Sequence, residues 1–120
     1  MDRTFLLLGA VAAFLAVTLG AFGAHGLRGR LSPEMMAVFQ TGVPYHMYHA
    51  LAILLVAATM GHLGGGLIQT AGWAFVAGIV LFSGSLYALA LSGVTILGAI
   101  TPIGGVAFLI GWACLAFAAF

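Results

Sequence analysis

The sequence predicts an all-α membrane protein, an antiparallel bundle of four transmembrane helices with a short interfacial helix before the second span. Of the 120 residues, 64% are hydrophobic, and the mean hydropathy is +1.27. Only 4% are charged, whereas a soluble domain draws about a quarter of its residues from Asp, Glu, Lys and Arg. Polar or glycine-rich breaks divide the chain into four apolar stretches, each close to the roughly 20 residues that cross a bilayer core.

The distribution of charge excludes several classes of function. All five charged residues lie in the first 34 positions, and none lies between Met35 and Phe120. Nucleic acid is excluded as a partner because binding it needs a basic surface, and the lipid bilayer is the predicted surroundings. The single cysteine, Cys114, lies in an apolar run, so neither a disulfide framework nor a CxxC site is predicted. Residues 1–120 are predicted to form one transmembrane domain.

The first span is predicted from Thr4 to Ala24, which is uncharged throughout. A cleaved signal peptide is not favoured, because its hydrophobic region has only about 7–15 residues. A charged loop, 25–31, follows and contains Arg28 and Arg30.

A helix start is predicted at Ser32, with Pro33 at the first helical position and Glu34 in the first turn. The short interfacial helix is predicted over residues 33–40. The second span is predicted separately, over residues 41–60, because a glycine-rich turn follows Met60 and about 20 residues are needed to cross.

The third span is predicted from Thr70 to Leu91, before a turn at Ser92. The fourth is predicted from Thr101, as an N-cap before Pro102, to Phe120. Four spans place both termini on the same side of the membrane, and which side is left open.

Small residues at helical spacing predict close packing of the first and fourth spans, because helices in lipid associate where their backbones can approach. The two small-residue faces are Gly9, Ala13, Ala16, Gly20 and Ala24 in the first span and Gly104, Ala107, Gly111, Cys114 and Ala118 in the fourth.

Several polar residues are predicted to collect near one side of the membrane. Antiparallel threading brings together the end of the first span, the start of the second, the end of the third and the start of the fourth. The predicted ligand-binding pocket comprises His25, Tyr45, His49, Ser83, Tyr87 and Thr101. An ionisable residue inside a membrane indicates function by default. A neutral histidine that is hydrogen-bonded across helices can instead serve only to stabilise helix packing.

A metal site is a weaker hypothesis. His46 and His49 are three residues apart and share a helix face, with His25 within reach from the first span. The sequence has no cysteine pair, no acid within a span and no HExxH pattern, so the metal and any other cofactor, including a haem, stay open. His46 is expected to face the lipid headgroups.

Catalysis and proton-coupled transport are not favoured, and no catalytic residue is assigned. Ser83 has no nearby Asp to orient a histidine, and GxSxG is absent. No carboxylate lies inside a span, as transport coupled to protons usually requires.

Blocks on all four spans resemble a YgdD-like family of small uncharacterised bacterial inner-membrane proteins, related to a small animal transmembrane protein. The blocks are LGAFGAH at 19–25, QTG at 40–42 with Tyr45 and His49, LFSGSLY at 81–87, TPIGGV at 101–106 and Gly111-Trp112. The resemblance implies a four-helix, multi-pass protein of the bacterial inner membrane without an assigned activity. That family typically has Gln where this chain has His46.

Two functions from different classes follow. The first is a non-catalytic membrane protein, either a homo-oligomer or an accessory subunit of another complex. The second is a membrane-embedded binding protein or enzyme whose His/Tyr/Ser pocket holds a small lipophilic molecule or a metal.

Overall fold

A computed structural model describes residues 3–120, and every regular element in this range is helical. The elements are α1 (Arg3–His25), α2 (Pro33–Thr59), α3 (Gly66–Gly78), a π-helical segment (Ile79–Ser83), α4 (Gly84–Ser92), a short 3-10 helix (Thr95–Ala99) and α5 (Thr101–Ala119). Four stretches are long and apolar enough to cross a membrane: α1, α2, the continuous run Gly66–Ser92 and the run Thr95–Ala119. The predicted four-helix membrane bundle is confirmed.

The interfacial helix predicted over residues 33–40 is helical, but it is not a separate element. It forms the first turns of α2, which runs without a break for 27 residues. The Ser32 cap is as predicted, since its Oγ accepts a hydrogen bond from the Met35 backbone N–H at 3.1 Å. No residue in 37–41 ends the helix, since this stretch contains neither glycine nor proline, and the Thr41 hydroxyl donates to the Ala37 carbonyl across the predicted junction.

The third and fourth spans also differ from the prediction in detail. The third begins at Gly66, four residues early, and contains a π-helical turn in which the Gly84 N–H bonds to the Ile79 carbonyl, five residues back. The predicted N-cap at Thr101 is wrong. Ile100 occupies the cap position without a side-chain cap, and the Thr101 hydroxyl bonds to Ser85 instead.

The third span lies at the centre of the packing. It contacts both α2 and α5, while α1 packs along α2. The antiparallel register of α1 and α2 follows from two close approaches: a Cβ added to Gly9 would lie 2.7 Å from the Leu54 side chain, and one added to Gly20 would lie 3.2 Å from Val43.

The small-residue faces are only partly used as predicted. In α5, Gly104 and Gly111 are buried against the third span, and the other three residues of that face are half-buried. In α1, Gly9 and Ala16 are buried but Ala24 is exposed. Gly9 and Gly111 lie against the side chains of Leu54 and Phe75, whereas Gly104 lies against the backbone of the third span.

The closest backbone approach predicts unequal effects of the same substitution at two neighbouring glycines. A Cβ on Gly104 would overlap the backbone at Phe82, whereas one on Gly105 would lie 3.9 Å from the nearest atom, in the Phe82 ring. We expect Gly104→Ala to lower the free energy of unfolding by about 1–3 kcal/mol, because a backbone cannot move aside. Gly105→Ala is expected to be neutral or to add up to about 1 kcal/mol from helix propensity.

Thermal unfolding in a mild detergent checks this pair. Equal midpoints for the two variants would contradict the packing of α5 against the π-helical segment.

Candidate functional site

The buried polar side chains lie in α2 and in the third span. His46, His49, Ser83 and Ser85 are all less than 7% exposed. Within residues 3–120, no buried side-chain nitrogen or oxygen lacks a hydrogen-bond partner. The buried polar side chains are therefore all hydrogen-bonded within the chain, and we call this arrangement the closed polar interior.

Both ring nitrogens of His49 are hydrogen-bonded, one to α5 and the other within α2 itself. The Trp112 indole N–H donates to Nε2 at 3.1 Å, and Nδ1 lies 2.7 Å from the Tyr45 backbone carbonyl. An indole N–H only donates and a carbonyl only accepts. The bonds therefore require the neutral tautomer of His49 with its proton on Nδ1.

Aromatic rings enclose His49. Its ring stacks on Phe108 with a centroid separation of 3.5 Å and an interplanar angle of 8°, and Phe75 lies 5.7 Å away. Two glycines make room for these rings, since a Cβ at Gly78 would overlap Phe108 and one at Gly111 would lie 2.5 Å from Phe75. The imidazole is thus held in a ring cage with both nitrogens bonded.

His46 pairs with the third span instead of facing the headgroups. It is 4% exposed, and its Nδ1 lies 3.0 Å from the Tyr87 hydroxyl. Gly42 lets this tyrosine lie against α2, because a Cβ there would be 2.8 Å from the Tyr87 ring. The headgroup-facing orientation expected for His46 is wrong, because its neighbour on the third span is within bonding distance.

Two serines complete the links of the third span. Ser83, at the end of the π-helical segment and fully buried, donates to the Gly42 carbonyl at 2.8 Å. Ser85 bonds to Thr101 at 2.6 Å. The π turn and the start of α4 therefore present hydroxyls both to α2 and to the start of α5.

The predicted pocket residues are brought together only in part. Ser83 and Tyr87 meet α2, and Thr101 meets α4, but His49 bonds with Trp112 and not with either of the first two. Tyr45 contributes its carbonyl, while its side chain is 42% exposed.

His25 lies exposed at the end of α1. The assignment of the six residues to ligand binding stays a prediction.

The two histidines proposed as metal ligands do not converge in the structure. The nearest hydrogen-bonding side chain is Tyr87 for His46 and Trp112 for His49. Among residues 3–120 there is no group of three or more His, Cys, Asp or Glu side chains positioned to hold a metal ion.

Four residues of the site were not predicted from the sequence: Gly42, Ser85, Phe108 and Trp112. For Trp112 a signal exists. An indole N–H inside a span needs an acceptor, because hydrocarbon supplies none, and a histidine nitrogen is among the few acceptors that the spans offer.

An apolar groove lies apart from these polar pairs. Its volume is about 180 Å³, and its lining combines α1, α2 and the third span, with none of the predicted site residues. The lining residues are Leu8, Val11, Ala12, Leu15, Ile53, Val76, Ile79 and Val80. The lining side chains are all apolar, so the groove is suited to an apolar group.

Comparison with known proteins finds close relatives without an assigned activity. The family model described as "Protein of unknown function (DUF423)" matches residues 19–105. The UPF0382 membrane protein YwdK of Bacillus subtilis is 56% identical over 118 residues, 98% of this chain and 96% of that protein. UPF0382 membrane proteins of Staphylococcus epidermidis (SERP0230) and Staphylococcus aureus (SAB0533) are 51% and 48% identical, over 97% and 98% of this chain and 94% and 96% of their own lengths.

No solved structure matches the chain significantly. The predicted resemblance to an uncharacterised bacterial membrane family is confirmed at that level.

The bond between His49 and Trp112 predicts energetic coupling. In a double-mutant cycle with His49→Phe and Trp112→Phe, we expect a coupling free energy of about 0.6 kcal/mol, and at most about 1.7, the range for hydrogen bonds between membrane helices. Chemical unfolding of the four proteins in mixed micelles measures it. Additive effects would show that the two side chains act independently.

Ser83 and Ser92 provide a matched pair of substitutions for testing the hydrogen bond from Ser83 to the Gly42 carbonyl of α2. Ser83→Ala removes a bond between helices, so we expect it to lower the free energy of unfolding by about 0.5–1.5 kcal/mol. Ser92 is exposed; its hydroxyl donates to the Ala88 carbonyl and accepts a bond from the Val94 N–H, and neither bond joins two spans. Because these bonds are exposed, Ser92→Ala is expected to lower stability by less than about 0.5 kcal/mol. Equal losses in the same unfolding assay would contradict the role of Ser83.

Proposed function

Because the chain belongs to the DUF423 family of membrane proteins of unknown function, we propose that it acts as a non-catalytic membrane protein, either an oligomer or an accessory subunit of a larger complex. The observation that carries this proposal is the closed polar interior. Every buried polar side chain of residues 3–120 is bonded within the chain.

A catalytic role would need a reactive group that a substrate can reach and that can exchange a proton. Both ring nitrogens of His49 are bonded, and the Ser83 hydroxyl donates to a backbone carbonyl. These groups hold helices together. They therefore support a structural role for the polar residues.

The outer surface supports association as the function. Most residues of α1 and of the fourth span face outward, and many are large and apolar. Such a surface can contact lipid or the helices of a partner protein. The chain therefore has a large apolar exterior and few buried residues.

A second candidate function, the binding of a small lipophilic molecule, is favoured by one observation, the apolar groove of about 180 Å³. Its lining offers no polar group for orienting a ligand, whereas most binding sites include a few such groups. It therefore ranks second.

Topology and location belong to the same proposal. Four spans put both termini on one side of the membrane, and long apolar helices of a bacterial protein fit the inner membrane. The finer likeness to the YgdD-like group and its animal relative is part of the proposal as well.

Native mass spectrometry of gently extracted protein tests the proposal. We expect assemblies containing more than one protein chain, either multiples of the 12.3 kDa chain or the chain with another protein, and no stoichiometric small molecule. His49→Ala is expected to lower stability by about 0.5–2 kcal/mol without changing the assembly.

Leu54→Ala serves as the control, because Leu54 packs against Gly9 in another part of the bundle. A monomer carrying a bound molecule that is lost in His49→Ala and kept in Leu54→Ala would overturn the proposal in favour of a binding protein.

A further inference from the structure

The apolar groove lies between α1 and the third span, and α2 forms its floor. α1 packs along α2 without an extended contact to the third span, which leaves the space between them open. Ile53 of α2, 1% exposed, lies at the bottom, while Leu15 and Val80 are exposed at the rim. The groove therefore opens sideways, toward the acyl chains of the bilayer.

The groove follows the hydrocarbon of a single leaflet. Its α1 lining extends from Leu8 to Leu15, two turns or about 10 Å. Leu15 is one residue from the middle of α1, so the groove ends near the middle of the bilayer. One leaflet provides about 15 Å of hydrocarbon, and the groove accordingly matches the inner two thirds of an extended acyl chain.

A polar group lies at the outer end of the groove, one turn beyond the lining. Trp73 precedes the lining residue Val76 of the third span by one turn. Its ring meets edge-on, at 5.1 Å, the ring of Phe5, which precedes Leu8 of α1 by one turn. Phe5 is two residues from Arg3, the charged start of α1. The indole therefore lies near the membrane surface, where tryptophan commonly borders the headgroups.

The Trp73 indole is free to bond outside the chain. The residue is 53% exposed, and its N–H makes no hydrogen bond to any of residues 3–120. An indole N–H only donates, so its partner has to be an acceptor. In a phospholipid the first acceptor above the hydrocarbon is the ester carbonyl, which is joined directly to the acyl chain. A chain in the groove thus carries an acceptor to Trp73.

The size of the groove favours an acyl chain over a helix of another protein. Its volume is about 180 Å³, whereas a single helical turn, about 10 Å wide and about 5.4 Å long, fills about twice that volume. An acyl chain is narrow enough to reach the floor. There it gains dispersion contacts with three helices that an empty groove would forfeit.

We infer that the groove is a binding site for one acyl chain of an ester-linked phospholipid, whose carbonyl accepts a hydrogen bond from the Trp73 indole. The inference goes beyond the proposed function, since a lipid can occupy the groove in a single chain and in an assembly alike. The bilayer supplies this ligand in large excess, so a weak site is filled in the membrane and is emptied by competing detergent.

Photo-cross-linking in vesicles tests the groove. The probe is an ester-linked phosphatidylcholine with a diazirine in its acyl chain, diluted into ordinary phosphatidylcholine. Light converts the diazirine to a carbene that inserts into neighbouring C–H bonds, and mass spectrometry of peptides locates the adducts. We expect adducts on Ile53, which a lipid outside the groove cannot reach. Their absence, as expected for a groove covered by a second protein chain, would overturn the inference.

Two alanines of α1 provide matched variants. Ala12 lines the groove, whereas Ala10 is exposed and lies outside the lining. We expect Ala12→Leu to fill the groove and to remove most adducts on Ile53, and Ala10→Leu to leave them unchanged. Adducts on Leu109 of α5, which is 69% exposed, report correct insertion and should be equal in all three proteins. Undiminished labelling of Ile53 in Ala12→Leu would contradict the site.

The hydrogen bond is tested with an ether-linked probe, which carries the same chain without the carbonyl. We expect the ester-linked probe to label Ile53 of the wild type about three times more than the ether-linked probe, as one hydrogen bond within a membrane implies. Trp73→Phe keeps the ring and should remove this preference. Trp112→Phe removes the other indole and should retain it. Equal labelling of the wild type by the two probes would reject the role of Trp73.

The outcomes separate the lipid site from the proposed function. An assembly by native mass spectrometry without adducts on Ile53 would reject the site and leave the proposed function standing. Labelling of Ile53 in a chain that associates with no protein would support the site and reject the proposed function.

Discussion

Hydrocarbon offers a polar group no partner, so each donor and acceptor inside the four spans must be bonded by the chain itself. The third span shows what this requires. Ser83 bonds to α2, Tyr87 to His46 of α2, and Ser85 to the start of α5. These bonds set the height and rotation of the third span relative to its neighbours, because each acceptor occupies one position on a rigid helix.

The close approach of neighbouring helices is the second requirement, and glycine residues make it possible. Gly42, Gly78 and Gly111 each lie under an aromatic ring that a Cβ would meet. The rings of Tyr87, Phe108 and Phe75 thereby reach the histidines of α2. In lipid, where apolar burial gives little drive for association, such contacts and the polar bonds supply most of the specificity.

The hydrogen bonding of the buried polar groups also bears on function. Histidines and serines that are bonded within the chain serve its architecture, and this agrees with relatives known only as membrane proteins of unknown function. The remaining features lie at the surface: a broad apolar exterior and an apolar groove. Association within the membrane is the role that these features favour together.

The sequence by itself determined the membrane class, the number of spans and most of their limits, because apolar length and charge are properties of the chain alone. It also predicted the Ser32 cap, which depends on neighbouring residues only. Tertiary structure decided the continuity of α2, the π-helical turn and the bond of Thr101 to Ser85. The spacing of residues in the sequence likewise did not determine which polar side chains bond to each other. Which histidine meets Tyr87 and which meets Trp112 depends on the rotation and height of whole helices, and those are set by ring and glycine contacts between residues far apart in the chain.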